Sequence, residues 1–280
     1  MELNLHYQIP DRTVLYEFRR TEESELRGGK SENAVRQYFS LTYTGKKEGL
    51  TCFDYQVSRV LQTNHEGLYA WIEDMYPLMQ YLQLGISWEG RIEKVFNLPD
   101  IYNRWVKKIW YETKQKHKGE DKRDAMLENI DALLQDEAAF ANSLCYAPPF
   151  SLFFSGLHGM KFEKEKEEKR KGRLLGFGGA PFLPLILEDE IKVSESPVES
   201  YEVKTTGKID EKEFDRKLFS NFVRTMSNDP MAIDSLLTRH SERYLFDKHH
   251  WVKTGMWLHL STVPYFMIRE ERCFLKALES

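Results

Sequence analysis

The chain of 280 residues carries 40 lysines and arginines against 44 aspartates and glutamates, which gives a net charge of -4. A near-neutral chain gives no electrostatic reason to expect a nucleic-acid partner, which usually needs a basic surface. Hydrophobic residues make up 41% and aromatic residues 13%, enough for a sizeable core. The longest apolar runs, at 150–157 and 180–187, are shorter than the ~20 residues of a membrane helix, so no membrane span is expected.

The opening segment, MELNLHYQIPDRT, has neither the basic stretch nor the apolar stretch of a secretory signal. We therefore expect a cytoplasmic protein. An exported domain whose leader has been removed stays open as the alternative.

Apolar and polar residues alternate near the N-terminus, which predicts β-strands with one face toward a core. The apolar sets are Leu3, Leu5, Tyr7 and Ile9; Val14, Tyr16 and Phe18; Phe39, Leu41 and Tyr43; and Phe53, Tyr55 and Val57. Glycines at 28, 29, 45 and 49 separate the runs and predict antiparallel hairpins. The expected solvent face carries Glu17, Arg19, Thr42, Asp54 and Gln56.

The segment 84–110, LGISWEGRIEKVFNLPDIYNRWVKKIW, predicts a strand, a tight turn, a second strand and a capped helix. The strand positions are Leu84, Ile86, Trp88, Ile92, Val95 and Phe96, with a turn at Glu89 and Gly90. Asn97 is the expected N-cap, and Asp100 follows in the first turn, where an acidic group is favourable. Ile101, Trp105 and Ile109 recur at helical spacing, so they should form the buried face.

The middle of the chain predicts helices. Residues 69–81 fit either a short helix or an irregular crossing, because Pro77 would break a longer helix. A further helix has the apolar stripe Met126, Leu127, Ile130, Leu133, Leu134, Ala141 and Leu144. Pro148 and Pro149 end it, and the apolar run 150–157 predicts a buried helix.

Residues 161–173, KFEKEKEEKRKGR, are almost all charged, and we expect a charged surface loop there. The glycine-rich segment 176–181, GFGGAP, has no lysine and is followed by Pro184, so it does not fit a phosphate-binding loop. It predicts a loop close to a packed surface, or a flap over an apolar pocket.

The C-terminal part predicts a strand at 200–208, helices at 211–226 and 230–239, and strands at 243–246, 251–260 and 265–278. The first helix should bury Phe214, Leu218, Phe222 and Met226, and Asp229 should cap the second. A turn is expected at 247–250. In the next strand Met256, Leu258 and Leu260 alternate with Trp257, His259 and Ser261.

Strands at both ends and helices between them indicate an α+β fold. We expect residues 1–280 to form a single domain, with a curved antiparallel sheet built from the N- and C-terminal strands. A central block of helices should pack on one face of this half-barrel-like sheet. The arrangement resembles the half-barrels of lipoprotein-carrier proteins in architecture alone, since no motif of the chain supports a family.

No motif for catalysis, cofactor binding or metal binding stands out, so no catalytic residue, cofactor or metal is expected. Cys52, Cys145 and Cys273 are widely spaced and form no CxxC pair, which argues against a disulfide framework or structural zinc. His249 and His250 are adjacent and would point apart on a strand. The acyl-enzyme motif Gly-x-Ser-x-Gly is absent from the sequence.

The leading hypothesis is therefore a non-enzymatic binding or structural protein. Its expected site is the concave sheet face, and its expected partner is an apolar small molecule or a protein segment. Tryptophans at 71, 88, 105, 110, 251 and 257 fit a pocket lining or a protein interface, although an ordinary aromatic core is favoured. The alternative is a hydrolase-like enzyme assembled only in three dimensions, with Asp247, His249 and His259 as its first candidates.

Overall fold

The computed structural model of the chain describes residues 2–5, 7, 12–163, 168–177, 180–193, 201–228 and 235–278. Its strands are β1 (Glu2–Asn4), β2 (Thr13–Leu26), β3 (Gly29–Lys47), β4 (Leu50–Gln62), β5 (Tyr81–Ile86), β6 (Ile92–Val95), β7 (Lys161–Glu163), β8 (Glu168–Phe177), β9 (Ala180–Val193), β10 (Tyr201–Ile209), β11 (Leu237–Phe246), β12 (Val252–Val263) and β13 (Met267–Leu278). Its helices are α1 (Leu68–Met75), α2 (Leu98–Arg104), α3 (Trp110–Lys116), α4 (Arg123–Gln135), α5 (Glu137–Tyr146), α6 (Phe150–Phe153) and α7 (Arg216–Ser227), and one π-helical turn, Trp105–Ile109, joins α2 to α3.

Eleven of the described strands form one open antiparallel sheet in the order β6-β5-β4-β3-β2-β13-β12-β11-β10-β9-β8. The N-terminal strand β2 pairs with the C-terminal strand β13 along its whole length. The prediction that both ends of the chain build one sheet is therefore confirmed. The strand β1 lies apart from it and pairs with β7.

The alternation of apolar and polar residues explains why these segments are strands with one buried face. Tyr16, Phe18, Phe39, Phe53 and Tyr55 are all buried and lie on one face of β2, β3 and β4. The hairpin turns need residues with a positive φ, and Gly28 (φ 78°) and Gly49 (φ 80°) supply it. The predicted strands and hairpins of this region are confirmed from Thr13 onward. The first predicted strand runs from Leu3 to Ile9. The strand β1 ends at Asn4, and residues 6 and 8–11 lie outside the described chain.

The helices pack on this apolar face, as predicted. The rings of α6 lie against the strands: Phe153 against Tyr16 at 4.7 Å between ring centroids, and Phe150 against Tyr55 at 4.8 Å. Phe154, just beyond α6, lies 5.8 Å from Phe53. We call this side the helix-covered face and the opposite side the open face. No helix within the described ranges is both long and apolar enough to cross a bilayer.

The segment 84–110 forms the predicted hairpin and helix, with Ile101, Trp105 and Ile109 buried. Two details differ from the expectation. Trp88 lies in the turn and is 75% exposed, because the strand has already ended at Ile86. Asn97 stands at the N-cap, but its side chain bonds to the backbone of β5, accepting from Gln83 N and donating to Tyr81 O. The asparagine therefore fastens the helix to the sheet.

The long second helix of the prediction is two helices. Asp136 separates α4 from α5 with an extended backbone, and its carboxylate accepts a hydrogen bond from Ala139 N. An aspartate that caps a new helix starts it at that point. The predicted buried helix 150–157 is also shorter, because α6 ends at Phe153 and the chain turns at Gly156 with a positive φ of 79°. Of residues 69–81, those up to Met75 belong to the short helix α1, which begins at Leu68.

The surface loop predicted at 161–173 is wrong for the residues described there. Residues 161–163 form β7 and 168–173 belong to β8, which pairs with β9; residues 164–167 lie outside the described chain. The physical reason is that Arg170 points inward to the buried Asp189, while Lys169 and Lys171 are exposed. In the segment 176–181, Phe177 pairs with Ala180, so strands flank residues 178–179, which are not described.

Two C-terminal helix predictions need correction. The helix α7 begins at Arg216, because Asp215 caps it by accepting from Leu218 N, and it buries Phe219 and Val223. Leu218 and Met226 are each 40% exposed. Of the predicted helix 230–239, residues 230–234 lie outside the described chain and 237–239 are strand β11, since they pair with β12.

Candidate functional site

The open face of the sheet carries an exposed apolar surface at its centre. Gly255 faces the helices, because a Cβ there would lie 3.6 Å from Leu152 of α6. The next residue along β12, Met256, therefore faces the other way and pairs across the strands with Phe274 of β13. Met256 is 43% and Phe274 36% exposed. Two large apolar side chains thus lie side by side in solvent.

A recess of about 660 Å³ lies over these side chains, and we call it the open-face trough. Residues of five neighbouring strands line it from the open face: Arg19, Thr21, Lys204, Thr206, Ser241, Arg243, Met256, Leu258, Arg272 and Phe274. A recess of about 200 Å³ shares Met256 and Phe274 with it. Another of about 260 Å³ shares Arg19 and Thr21 and extends to Leu61 of β4. The three recesses are therefore neighbours on the open face.

Guanidinium groups stand beside the apolar floor of the trough. Arg19 pairs with Glu17, Arg243 with Glu202, and Arg272 with Glu270. The three arginine side chains remain 53%, 57% and 64% exposed. They are therefore held in place by carboxylates and still accessible to a ligand.

Glu17 was expected on the solvent face, and it lies on that face but is only 6% exposed. It accepts hydrogen bonds from Arg19 and Arg36, whose side chains cover it. Burial favours the neutral acid, but the bonds from the two arginines outweigh it and lower the pKa of Glu17. The carboxylate is thus a support for two cations.

The helix-covered face has a buried charged cluster next to its aromatic core. Arg170 of β8 donates from Nε to Asp189 at 2.9 Å and from Nη2 to Glu242. Glu242 also accepts from the hydroxyl of Tyr244 at 2.9 Å and bonds Nε2 of His240 at 3.0 Å. Burial opposes ionisation of Glu242, but Arg170 and His240 lower its pKa to about 2. The buried charges therefore compensate one another.

A second recess, of about 170 Å³, lies beside this cluster, and we call it the seam cavity. Its walls come from both edge strands of the sheet, β6 and β8, which the helix α5 also contacts. Cys145 of α5 donates from Sγ to the carbonyl of Ile92 on β6 at 3.3 Å. The two edges of the sheet therefore approach each other around the helices, and the seam cavity fills the space between them.

Of the three residues named as candidates for a hydrolase-like site, Asp247 and His249 share a turn and His259 lies apart from them. Asp247 lies in the turn between β11 and β12, where it pairs with Arg12 at 2.8 Å and accepts from the backbone N–H groups of His249 and Trp251. His259 lies seven residues beyond the start of β12, so at about 3.3 Å per residue it is more than 20 Å along the strand. His259 is fully buried and bonds Ser261.

The expected aromatic core is present for most of the tryptophans. Trp71, Trp105, Trp251 and Trp257 are buried, and Trp257 lines the seam cavity. The cysteines at 52, 145 and 273 are free thiols. Among the described residues no group of three histidine, cysteine or acidic side chains is placed to hold a metal ion.

The sequence did not indicate that His240 and Glu242 belong to one bonded cluster. A signal exists, because His240, Glu242 and Tyr244 alternate along one strand and so share a face with buried Phe246. Polar residues at every second position of a buried strand face indicate a bonded cluster. The partner Arg170 lies in the charged run, 72 residues from Glu242, and no local pattern connects the two.

Fold and recesses together define an α+β protein with an open antiparallel sheet, a trough on one face and a small cavity at its seam. No protein-family model matches the chain, and no curated protein matches it. Among solved structures it is similar to lipovitellin, in a structure that concerns lipid–protein interactions, with a TM-score of 0.48 and 10% sequence identity. The alignment covers 98% of this chain and 26% of that one, so this chain spans about a quarter of its length.

Proposed function

We propose that this protein binds an anionic amphiphile, a molecule with an acyl chain and a carboxylate or phosphate head, in the open-face trough. The observation that carries the proposal is an exposed apolar floor, Met256 and Phe274, with arginines standing beside it. Apolar surface of this kind costs free energy in water, and a ligand that covers it removes that cost.

The apolar part of the ligand belongs on the floor of the trough. The volume of about 660 Å³ falls within the ~300–1,000 Å³ of typical ligand sites. Each methylene group moved out of water contributes about 0.8 kcal/mol, so a chain that covers Met256, Leu258 and Phe274 supplies most of the binding free energy.

The anionic head belongs beside the arginines. Exposed ion pairs are worth only about 0–1 kcal/mol, so a head group can replace Glu202 on Arg243 or Glu270 on Arg272 at little cost. A planar guanidinium binds carboxylate and phosphate through two parallel hydrogen bonds. The head therefore fixes the orientation of the chain in the trough.

Displacement of a fluorescent fatty acid, dansyl-undecanoic acid, from the purified chain tests the proposal. Palmitate and lysophosphatidic acid, which carry the carboxylate and phosphate forms of the head, should compete. Hexadecanol, which lacks the charge, should compete about tenfold or more weakly, a difference of about 1.4 kcal/mol. Equal competition by hexadecanol would show that the arginines do not contribute.

A pair of variants locates the site. Met256→Glu removes an apolar side chain from the floor and puts a carboxylate opposite Arg243, where it competes with the anionic head, so it should weaken palmitate binding about tenfold or more. Ile268→Glu adds the same charge on the same face of the sheet, at a position of β13 that lies outside the trough. Ile268 is 48% exposed, and this variant should leave binding unchanged. The proposal fails if no amphiphile displaces the probe, or if both variants bind like the original chain.

A further inference from the structure

The seam cavity lies on the helix-covered side of the sheet and is lined by Arg91 and Arg173, neither of which lines the trough. We propose that it binds a small hydroxy-carboxylate: the carboxylate lies between Arg91 and Arg173, the carbon body lies between Phe154 and Trp257, and a hydroxyl group hydrogen-bonds Nδ1 of His240.

One of the side chains that line the cavity has a hydrogen-bonding atom that no described residue uses. His240 is 7% exposed, lines the cavity, and within the described chain its Nδ1 has no hydrogen-bond partner. Its other ring nitrogen, Nε2, bonds the Glu242 carboxylate at 3.0 Å. An ionised carboxylate only accepts, so Nε2 carries a proton, and Nδ1 is left without a partner among the described residues. A buried ring nitrogen without a partner favours a ligand with a hydroxyl group, which can both donate and accept a hydrogen bond.

Cationic side chains outnumber carboxylates in the lining of the cavity, with Arg91, Arg170, Lys171 and Arg173 against Glu93 and Glu242. Arg91 comes from the turn that precedes the edge strand β6, and Arg173 comes from the edge strand β8 on the other side. Neither has a carboxylate partner among the described residues. Arg173 lies over the ring of Phe182 at 4.2 Å and that of Tyr146 at 5.4 Å, which holds its guanidinium in place. Both guanidinium groups line one cavity from different edges of the sheet, and a guanidinium suits a carboxylate.

The volume limits the body of the ligand. A cavity of about 150 Å³ is known to hold one benzene molecule, and the seam cavity measures about 170 Å³. Its apolar walls include Phe154, Leu174 and Trp257. An aromatic ring or a short branched chain therefore fits, whereas the long chain proposed for the trough does not. The two sites take ligands of different size and can be tested separately.

Calorimetric titration of the full chain with three related probes tests the assignment. 4-Hydroxybenzoate carries both groups, benzoate lacks the hydroxyl, and phenol lacks the carboxylate. We expect 4-hydroxybenzoate to bind one per chain, and benzoate and phenol to bind about tenfold or more weakly. The proposal is overturned if 4-hydroxybenzoate and the short-chain analogue 4-hydroxybutyrate both fail to bind at millimolar concentration, or if benzoate binds as well as 4-hydroxybenzoate.

Variants at the mouth place the binding. Arg173→Gln and Arg91→Gln should each weaken 4-hydroxybenzoate about fivefold or more while the affinity for phenol stays the same. Arg224→Gln, at an exposed position of α7, is the matched control and should change neither. His240→Phe should remove the preference for the hydroxyl probe. If that variant does not fold, the comparison of 4-hydroxybenzoate with benzoate still decides the role of the hydroxyl group. Equal affinity in both arginine variants and the control would exclude the seam cavity.

Discussion

Charged side chains on the helix-covered face of the sheet are buried and bonded to one another, whereas those on the open face stand exposed beside apolar side chains. The same strands build both faces, since Glu242 and Arg243 are neighbours on β11 and Trp257 and Met256 are neighbours on β12. What differs is the layer above them. Helices cover one face and exclude water from its charges, and no described element covers the floor of the trough.

This difference sets how strongly each charge matters to stability. A buried ion has lost its hydration, so removal of its partner leaves a desolvation cost that no other interaction offsets. An exposed ion keeps its water, and loss of its partner costs little. The helix-covered face therefore depends on complete pairing, and the open face keeps its cations available for a ligand.

The largest expected difference between the faces concerns aromatic side chains. Phe39→Ala, at a residue that is 1% exposed against α6, should lower the free energy of unfolding by about 3–5 kcal/mol. Phe274→Ala, in the trough, should lower it by about 1 kcal/mol or less. Urea denaturation of both variants measures the difference. Equal losses would mean that the open face is covered in solution.

The next largest difference in stability is expected between two variants that each remove one carboxylate. Glu242→Gln leaves the buried Arg170 with Asp189 alone and should cost about 3 kcal/mol. Glu270→Gln breaks the exposed pair with Arg272, which is 64% exposed, and should cost about 1 kcal/mol or less. Chemical denaturation at neutral pH compares the two. A cost for Glu270→Gln as large as that for Glu242→Gln would contradict the assignment of the faces.

Most of the sheet was predictable, because burial of one face imposes a period of two on sequences such as VLYEF and CFDYQV. The errors lie where one side chain has a partner far away along the chain. Residues 168–173 read as a loop because Arg170 is one charge among many, and only the buried Asp189 and Glu242 make it part of a strand. Local pattern also missed Asp136, where a capping carboxylate divides a continuous apolar stripe.

The trough could not be predicted from the sequence, for a different reason. Met256, Leu258 and Leu260 alternate with Trp257, His259 and Ser261, so both faces of β12 carry apolar residues. The pattern cannot decide which set faces the helices. Gly255 decides it, because the missing side chain lets Leu152 of α6 approach the strand. That contact depends on the tertiary arrangement, and it turns Met256 outward.

The smallest expected effect is a pH dependence of the helix-covered face. Burial, helped by the neighbouring His240 and Arg269, lowers the pKa of His259 from its ordinary 6.5 to about 3. Between these values the unfolded chain takes up a proton that the folded chain does not, so stability falls as the pH drops below 6.5. From pH 7 to pH 5 this residue should remove about 2 kcal/mol. His259→Gln should therefore lose about 2 kcal/mol less than the original chain over that range, measured by urea denaturation at both pH values. His249→Gln, in the half-buried turn before β12, is the control. An unchanged pH dependence in His259→Gln would show that the buried histidine is charged in the folded chain. The helix-covered face would then hold a buried cation in addition to the paired Arg170.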